Sequence, residues 1–217
     1  MDESPEVRAA AARALGEIKQ PGAVQPLIAA LKDASAKVRA AAAGALGNLQ
    51  TKEAIDPLLA ALSDADAKVR QSAVQALGGL QVKKATCRVI AALKDPDAEV
   101  RQAAAFNLGH LMIFKAIDEP AKAVESLIAV LVDDDEGVRA YAADALGNFG
   151  DARAVEPLVR LLKDKSEGVV RNAILALGTL KDARAIPPLE EFIKTTSSEN
   201  LRDCAVVFLK EIRTTSK

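Results

Sequence analysis

Few residues in this chain have the chemistry for catalysis or metal binding, and they are scattered. His110 is the only histidine, Cys87 and Cys204 are the only cysteines, and Asp133-Asp134-Asp135-Glu136 is the densest acidic run. A dinuclear iron site needs several His-Glu pairs, whereas His110 is followed by Leu111. Nucleophilic catalysis would have to use His110 as its base, and no nucleophile motif accompanies it. The acidic run lacks the alternating spacing and the glycine of a calcium loop, so it reads as a solvated helix start. No Cys-x-x-Cys, phosphate-binding loop or dinucleotide fingerprint is present. The inventory points to no catalytic, cofactor-binding or metal-binding residues.

Charged residues do recur in register. Asp33, Asp64, Asp95 and Asp133 are each followed six residues later by Arg39, Arg70, Arg101 and Arg139. Six residues span a short turn, so each Asp can reach an Arg of its own or the adjacent unit. A guanidinium fork there can bind carboxylates and orphan helix carbonyls. Because each Arg has an Asp beside it, the ladder reads as a device that fixes packing register and not as an anion track. Val170 stands where the next Arg belongs and Arg171 follows it, which predicts a local change in the ladder.

The elements that carry this ladder follow from a repeat. Leu-Gly recurs at 15–16, 46–47, 77–78 and 108–109, a step of 31 residues, and after an insertion at 146–147 and 177–178. A fixed period of this size means stacked supersecondary units. Each unit reads as two helices. The first begins near Val7, Val38, Val69, Val100, Val138, Val169 and Leu201; the second carries segments such as Ala-Val-Gln-Pro-Leu-Ile at 23–28. Val24, Leu27, Ile28 and Leu31 form one apolar stripe. Pro26, Pro57 and Pro157 belong in a first turn, where no intrahelical N–H is lost. Asp151 and Asp182 read as N-caps. The Gly after each Leu either allows close helix approach or forms a left-handed cap, and the continuing apolar phase at Ile18 and Leu49 favours close approach.

The units are 2–32, 33–63, 64–94, 95–132 with seven inserted residues, 133–163 and 164–194, followed by a closing helix at 199–213. The whole chain thus reads as a single domain. The expected fold is all-α, a right-handed α-α superhelix (solenoid) of about six and a half two-helix repeats.

Composition agrees with this fold and narrows the function. Half the residues are hydrophobic but only 3% are aromatic, so Ala and Leu supply a core of closely packed helices. Net charge is -1 and is spread evenly, which disfavours a polyanion binder. A basic column exists at Lys84, Lys122, Arg153 and Arg184, but acidic neighbours make it a set of solubilising turn charges. The start of the chain is polar, with no signal peptide, and no apolar run approaches the roughly 20 residues of a membrane span. Two distant cysteines give no disulfide framework and suit a reducing, cytoplasmic setting.

Asp-x-x-x-x-Val-Arg-x-x-Ala-x-x-Ala-Leu-Gly followed by Ala-Val-x-Pro-Leu resembles the short HEAT-like repeats named after phycobilisome lyases, over roughly residues 2–212. The resemblance implies an α-solenoid. It also implies a choice of functions, because that family includes scaffolds, bilin lyase subunits and iron-dependent deoxyhypusine hydroxylases. Without His-Glu pairs the hydroxylase branch falls away.

Two functional readings remain. In the first, the chain is a non-catalytic scaffold binding a protein or peptide partner along its surface, without membrane or cofactor. In the second, it is a bilin lyase/isomerase subunit working as a heterodimer. For the scaffold, positions 25, 29 and 32 and their equivalents form a stripe on the second helices whose chemistry varies while the core does not. Cys87, Glu125, Glu156, Arg160 and Lys163 lie on it. The stripe is either a partner groove or an ordinary helix face. The insertion, with Met112, Ile113 and Phe114, is either a longer first helix packed on its neighbour or an exposed anchor. Val7, Ala11, Leu15 and Ile18 should leave an apolar face at the first helix, open to a second copy or to more of a longer parent chain.

Overall fold

The structure, a computed structural model, describes residues 4–215. Thirteen α-helices, and no strands, occur among the described residues. The chain divides into two compact units after Asp118, inside the inserted segment.

The first unit holds α1 (Pro5–Ile18), α2 (Val24–Ala30), α3 (Ala36–Leu49), α4 (Ile55–Ala61), α5 (Ala67–Gly79), α6 (Thr86–Ala92) and α7 (Ala98–Ile113). The long helices α1, α3, α5 and α7 pack side by side in one layer. The short helices α2, α4 and α6 form a second layer, each against the long helix that follows it. The second unit repeats the plan with α8 (Pro120–Ala129), α9 (Glu136–Phe149), α10 (Val155–Arg160), α11 (Glu167–Leu180), α12 (Ile186–Thr195) and α13 (Glu199–Thr215). There α9, α11 and α13 are neighbours, with α8, α10 and α12 layered on them. Each unit is an all-α array of two-helix repeats of the solenoid kind.

The core lies between the layers. Leu27, Leu58, Val89, Leu127, Leu158 and Leu189 are buried from the short helices, and Leu46, Leu77, Leu108, Leu146 and Leu177 from the long ones. Val24 and Leu27 are buried as expected, while Ile28 and Leu31 are half-buried. Pro26, Pro57 and Pro157 each occupy the third residue of a short helix. Asp151 and Asp182 cap the 3-10 turns that lead into α10 and α12, accepting from the N–H groups of Arg153 and Arg184.

The Leu-Gly glycines are close-approach positions. A Cβ on Gly16 would lie 2.6 Å from the Ala45 backbone, and one on Gly47 would lie 2.9 Å from Ala76. Gly78 faces the side chain of Asn107 and Gly178 the ring of Phe208. Removing the Cβ lets neighbouring long helices meet backbone to backbone. The left-handed cap is a separate position three residues further on, at Lys19, Gln50, Gln81, Gly150 and Lys181.

In the fourth repeat that cap is Lys115, six residues beyond Gly109. Three of the seven inserted residues therefore lengthen the first helix, and four lengthen the turn into α8. Leu111 and Ala116 of this segment are buried, Met112 is half-buried, and Ile113 and Phe114 are exposed. The segment packs through one side and shows the other. Val7, Ala11 and Ile18 of α1 are exposed and Leu15 half-buried. The closing helix extends to Thr215, two residues beyond the expected end.

Candidate interaction groove

Three ladder arginines, Arg39, Arg70 and Arg139, reach in two directions. Arg39 donates from Nη1 to the Asp33 and Ala34 carbonyls at 2.9 and 3.1 Å. Its Nε and Nη2 grip the Asp64 carboxylate of the next repeat at 2.7 and 2.8 Å. Arg70 does the same with the Asp64 and Ala65 carbonyls and with Asp95, and Arg139 with the Asp133 and Asp134 carbonyls and Asp164. Arg8 grips Asp33 at 2.8 Å through both arms. Arg101 donates to the Asp95 and Pro96 carbonyls. For Arg39, Arg70 and Arg139 the Asp six residues earlier thus supplies a carbonyl, and the carboxylate comes from the adjacent repeat, 25 residues on.

The carboxylates are used fully. Besides the guanidinium, Asp33, Asp64, Asp95 and Asp164 each accept the N–H two residues ahead at 2.8 to 2.9 Å, and Asp133 accepts that of Asp135 at 3.0 Å. The Arg8 guanidinium, with the Ser35 N–H, lowers the Asp33 carboxyl to about 2. Arg39 and Arg139 likewise hold Asp64 and Asp164 below the usual carboxylate range against the opposing pull of burial. At Asp95 burial pushes upward, but Arg70 and the Asp97 N–H outweigh it. Charge-assisted, bidentate bonds of this kind tie α1, α3, α5 and α9 each to the turn of the next repeat.

Arg8 and Asp164, which the six-residue spacing does not select, are thus rungs of the ladder. Both sit one 31-residue step beyond rungs that the spacing does select, and that step is the signal for them.

A groove recurs at the same place in three repeats, with a ladder rung in its floor in two of them. In the first unit Leu62, Ser63, Arg70, Arg88, Ala91 and Asp95 line a cavity of about 190 Å³. In the second unit the equivalent cavity is about 490 Å³, with Val132, Asp134, Arg139, Pro157, Arg160 and Lys163 on its walls. One repeat further on it is about 530 Å³, bounded by Lys163, Val170, Pro188, Glu191, Phe192 and Thr196.

The rims are the stripe positions on the short helices. Every residue of that stripe, from Gln25 to Lys194, is solvent-exposed. Val132, apolar and 85% exposed, stands on it. The structure brings Arg160 and Lys163 together with Val132 around one cavity. It does not bring the other expected stripe residues, Cys87, Glu125 and Glu156, there. Glu125 pairs with Arg153 at the turn. Cys87 and Glu156 are exposed near the starts of α6 and α10. Met112, Ile113 and Phe114 belong to the end of α7, where the Phe114 ring lies 5.6 Å from His110 and His110 lies 5.1 Å from Phe106.

The basic turn column is neutralised locally. Lys84 meets Asp56, Lys122 meets Glu119, Arg153 meets Asp151, and Arg184 meets Asp182. Among the described residues no cluster of His, Cys, Asp and Glu is arranged to hold a metal ion, and no helix is long and apolar enough to cross a membrane.

Paired helices in register, close glycine contacts and an inter-repeat ion ladder define a helical repeat protein with a recurring surface groove. A family model for HEAT repeats matches residues 1–78, 55–124 and 124–210, and the chain belongs to that family. Among solved structures it is similar to a designed armadillo repeat protein in complex with peptide (KR)4, at 22% identity and a TM-score of 0.66, covering 86% of this chain and 98% of that one. It is similar to the complex of CpcE and CpcF of phycocyanin lyase from Nostoc sp. PCC7120, at 23% identity and 0.61, covering 98% and 91%. An engineered protein gives 24% and 0.66, covering 88% and 96%. At these identities the likeness shows the fold. No curated protein matches.

Proposed function

We propose that the chain is a non-catalytic interaction scaffold that receives a segment of a partner protein along the exposed stripe of its short helices. The carrying observation is the recurrence of one groove at the same place in three repeats, with rims that vary in charge and with a ladder rung in the floor of two of the three. A rigid floor with variable rims is what modular recognition needs, because specificity can change there without touching the core. The peptide held by a designed armadillo repeat protein of the same fold supports the reading. So does the partnership of CpcE with CpcF. A reducing, cytoplasmic setting belongs to this reading, and the two cysteines, which form no disulfide, suit it.

The test is recovery of the partner from cell extract by the wild-type chain and by the Arg160→Glu, Lys163→Glu double variant. Both residues are exposed, so the variant keeps its thermal midpoint within about 2 °C. Loss of the partner is the expected result, and undiminished recovery counts against the scaffold reading. Titration with a tetrapyrrole should leave the pigment's absorbance unchanged; a shift would instead favour a bilin lyase subunit.

A further inference from the structure

One rung of the ladder is missing on both sides. Val170 replaces the arginine of the sixth repeat. Its partner position is Thr196, one residue later than the 31-residue step gives. The slip is visible in the contacts: Thr196 Oγ1 accepts the Ser198 N–H, and its carbonyl accepts Nη2 of Arg202, six residues on. These are the bonds that Asp33, Asp64, Asp95 and Asp133 make. Thr196 therefore keeps the backbone role of the Asp and lacks its carboxylate.

The cavity of about 530 Å³ lies over this gap. In the preceding repeat Arg139 donates to the carbonyls of Asp133 and Asp134. The corresponding carbonyls are those of Asp164 and Lys165, and Val170 has no donor to offer them. Around the gap stand Glu167 and Glu191, neither with an ion-pair partner among the described residues, and the hydroxyl residues Thr195, Ser197 and Ser198. Leu162, Val170, Phe192 and Leu201 supply an apolar wall. The Asp164 charge is already matched by Arg139, which leaves Lys163 as the one cation in the lining against two carboxylates.

Acceptors and negative charge in the same cavity as an apolar wall fit a side chain with a methylene stem and a cationic fork. We infer that this cavity receives an arginine side chain from the partner segment, which completes the rung that Val170 and Thr196 leave open. The inference rests on the scaffold reading and assigns the chemistry of one pocket in it.

The probe is the blocked peptide acetyl-Ala-Ala-Arg-Ala-Ala-amide, titrated into the isotope-labelled full chain and followed by amide chemical shifts. A control peptide carries citrulline, which keeps the shape of arginine and removes its charge. Shifts should appear at Val170 and across 195–201, and citrulline should bind at least about tenfold more weakly. The Val170→Arg, Thr196→Asp variant rebuilds the rung from the chain's own residues. It should fold with an equal or higher thermal midpoint and bind the arginine peptide at least about tenfold more weakly. Glu167→Gln with Glu191→Gln should weaken binding while leaving the fold intact.

Equal binding of arginine and citrulline peptides, undiminished binding by the rebuilt variant, or no binding at millimolar peptide would each overturn the inference. If the peptide fails while Arg160→Glu, Lys163→Glu still releases the partner, only the pocket assignment falls. If the peptide binds but that variant keeps the partner, the scaffold reading falls and the inference with it.

Discussion

Arg139 and Asp164 meet through two parallel hydrogen bonds of 2.7 and 2.8 Å, with side chains only 6% and 9% exposed. At that burial, removing one partner strands the other charge, a loss of about 3 kcal/mol or more. The chain itself shows the remedy, since Val170 and Thr196 dispense with both charges at once. Arg139→Val should therefore lower stability by about 3 kcal/mol, and adding Asp164→Thr should recover about 1 kcal/mol or more of it. Urea unfolding of the two single variants and the double measures the coupling. Strictly additive losses would mean that the pair contributes no specific interaction.

The ladder also sets the acid limit of the fold. Asp33 is lowered from 3.8 to about 2, and Asp64, Asp95 and Asp164 are lowered as well. A carboxylate whose folded value is depressed stabilises the fold fully above its unfolded value and loses that contribution as pH falls through the folded one. Stability should hold above about pH 5 and decline between there and about pH 2. Asp64→Asn, measured by thermal unfolding across that range, should start lower at neutral pH and lose less on acidification than the wild type.

Much of the fold is legible in the sequence, because one period recurs in every column. The Leu-Gly step locates the long helices, and Gly16 and Gly47 sit where the helices meet. What spacing alone misses is which charges pair. Six residues separate Asp33 from Arg39 in sequence, and the proximity is real, but the bond is to a carbonyl. The carboxylate goes to Arg8, because a long guanidinium side chain crosses to the next repeat more readily than it folds back to a carboxylate on its own turn. The groove's missing rung is hidden for another reason. A one-residue slip within α12 moves the partner of Val170 to Thr196, and only the Ser198 and Arg202 bonds reveal the new register. The stripe is legible as a set of exposed positions, whereas the gathering of Arg160 and Lys163 around one cavity depends on three-dimensional packing.

Glycines of this chain should respond to alanine in opposite directions. Gly16 lies in α1 where a Cβ would come 2.6 Å from the Cα of Ala45, so α1 and α3 would have to separate. Gly16→Ala should cost about 1–3 kcal/mol, the usual toll of overpacking. Gly44 lies in the interior of α3 with nothing within 4 Å of a new Cβ. There the gain in helix propensity dominates, and Gly44→Ala should stabilise by about 1 kcal/mol. Thermal melts of the two variants should move in opposite directions. A shared direction would refute the close-approach role of Gly16.

Thr86 is the first residue of α6 and is fully buried, in a column otherwise filled by Val24, Ile55, Val124, Val155 and Ile186. Its Oγ1 is buried without a hydrogen-bond partner. Burying an unsatisfied hydroxyl costs on the order of 1–3 kcal/mol, and replacing it with a methyl of the same shape removes that cost without opening a void. The other residues of the column show that a β-branched hydrocarbon fits there. Thr86→Val should thus stabilise the first unit by about 1 kcal/mol. Thr86→Ala relieves the same desolvation but leaves a methyl-sized gap, so it should be neutral or destabilising. If valine lowers the unfolding midpoint, the hydroxyl has a partner after all, and a crystal structure of the wild type should show a water molecule bonded to it.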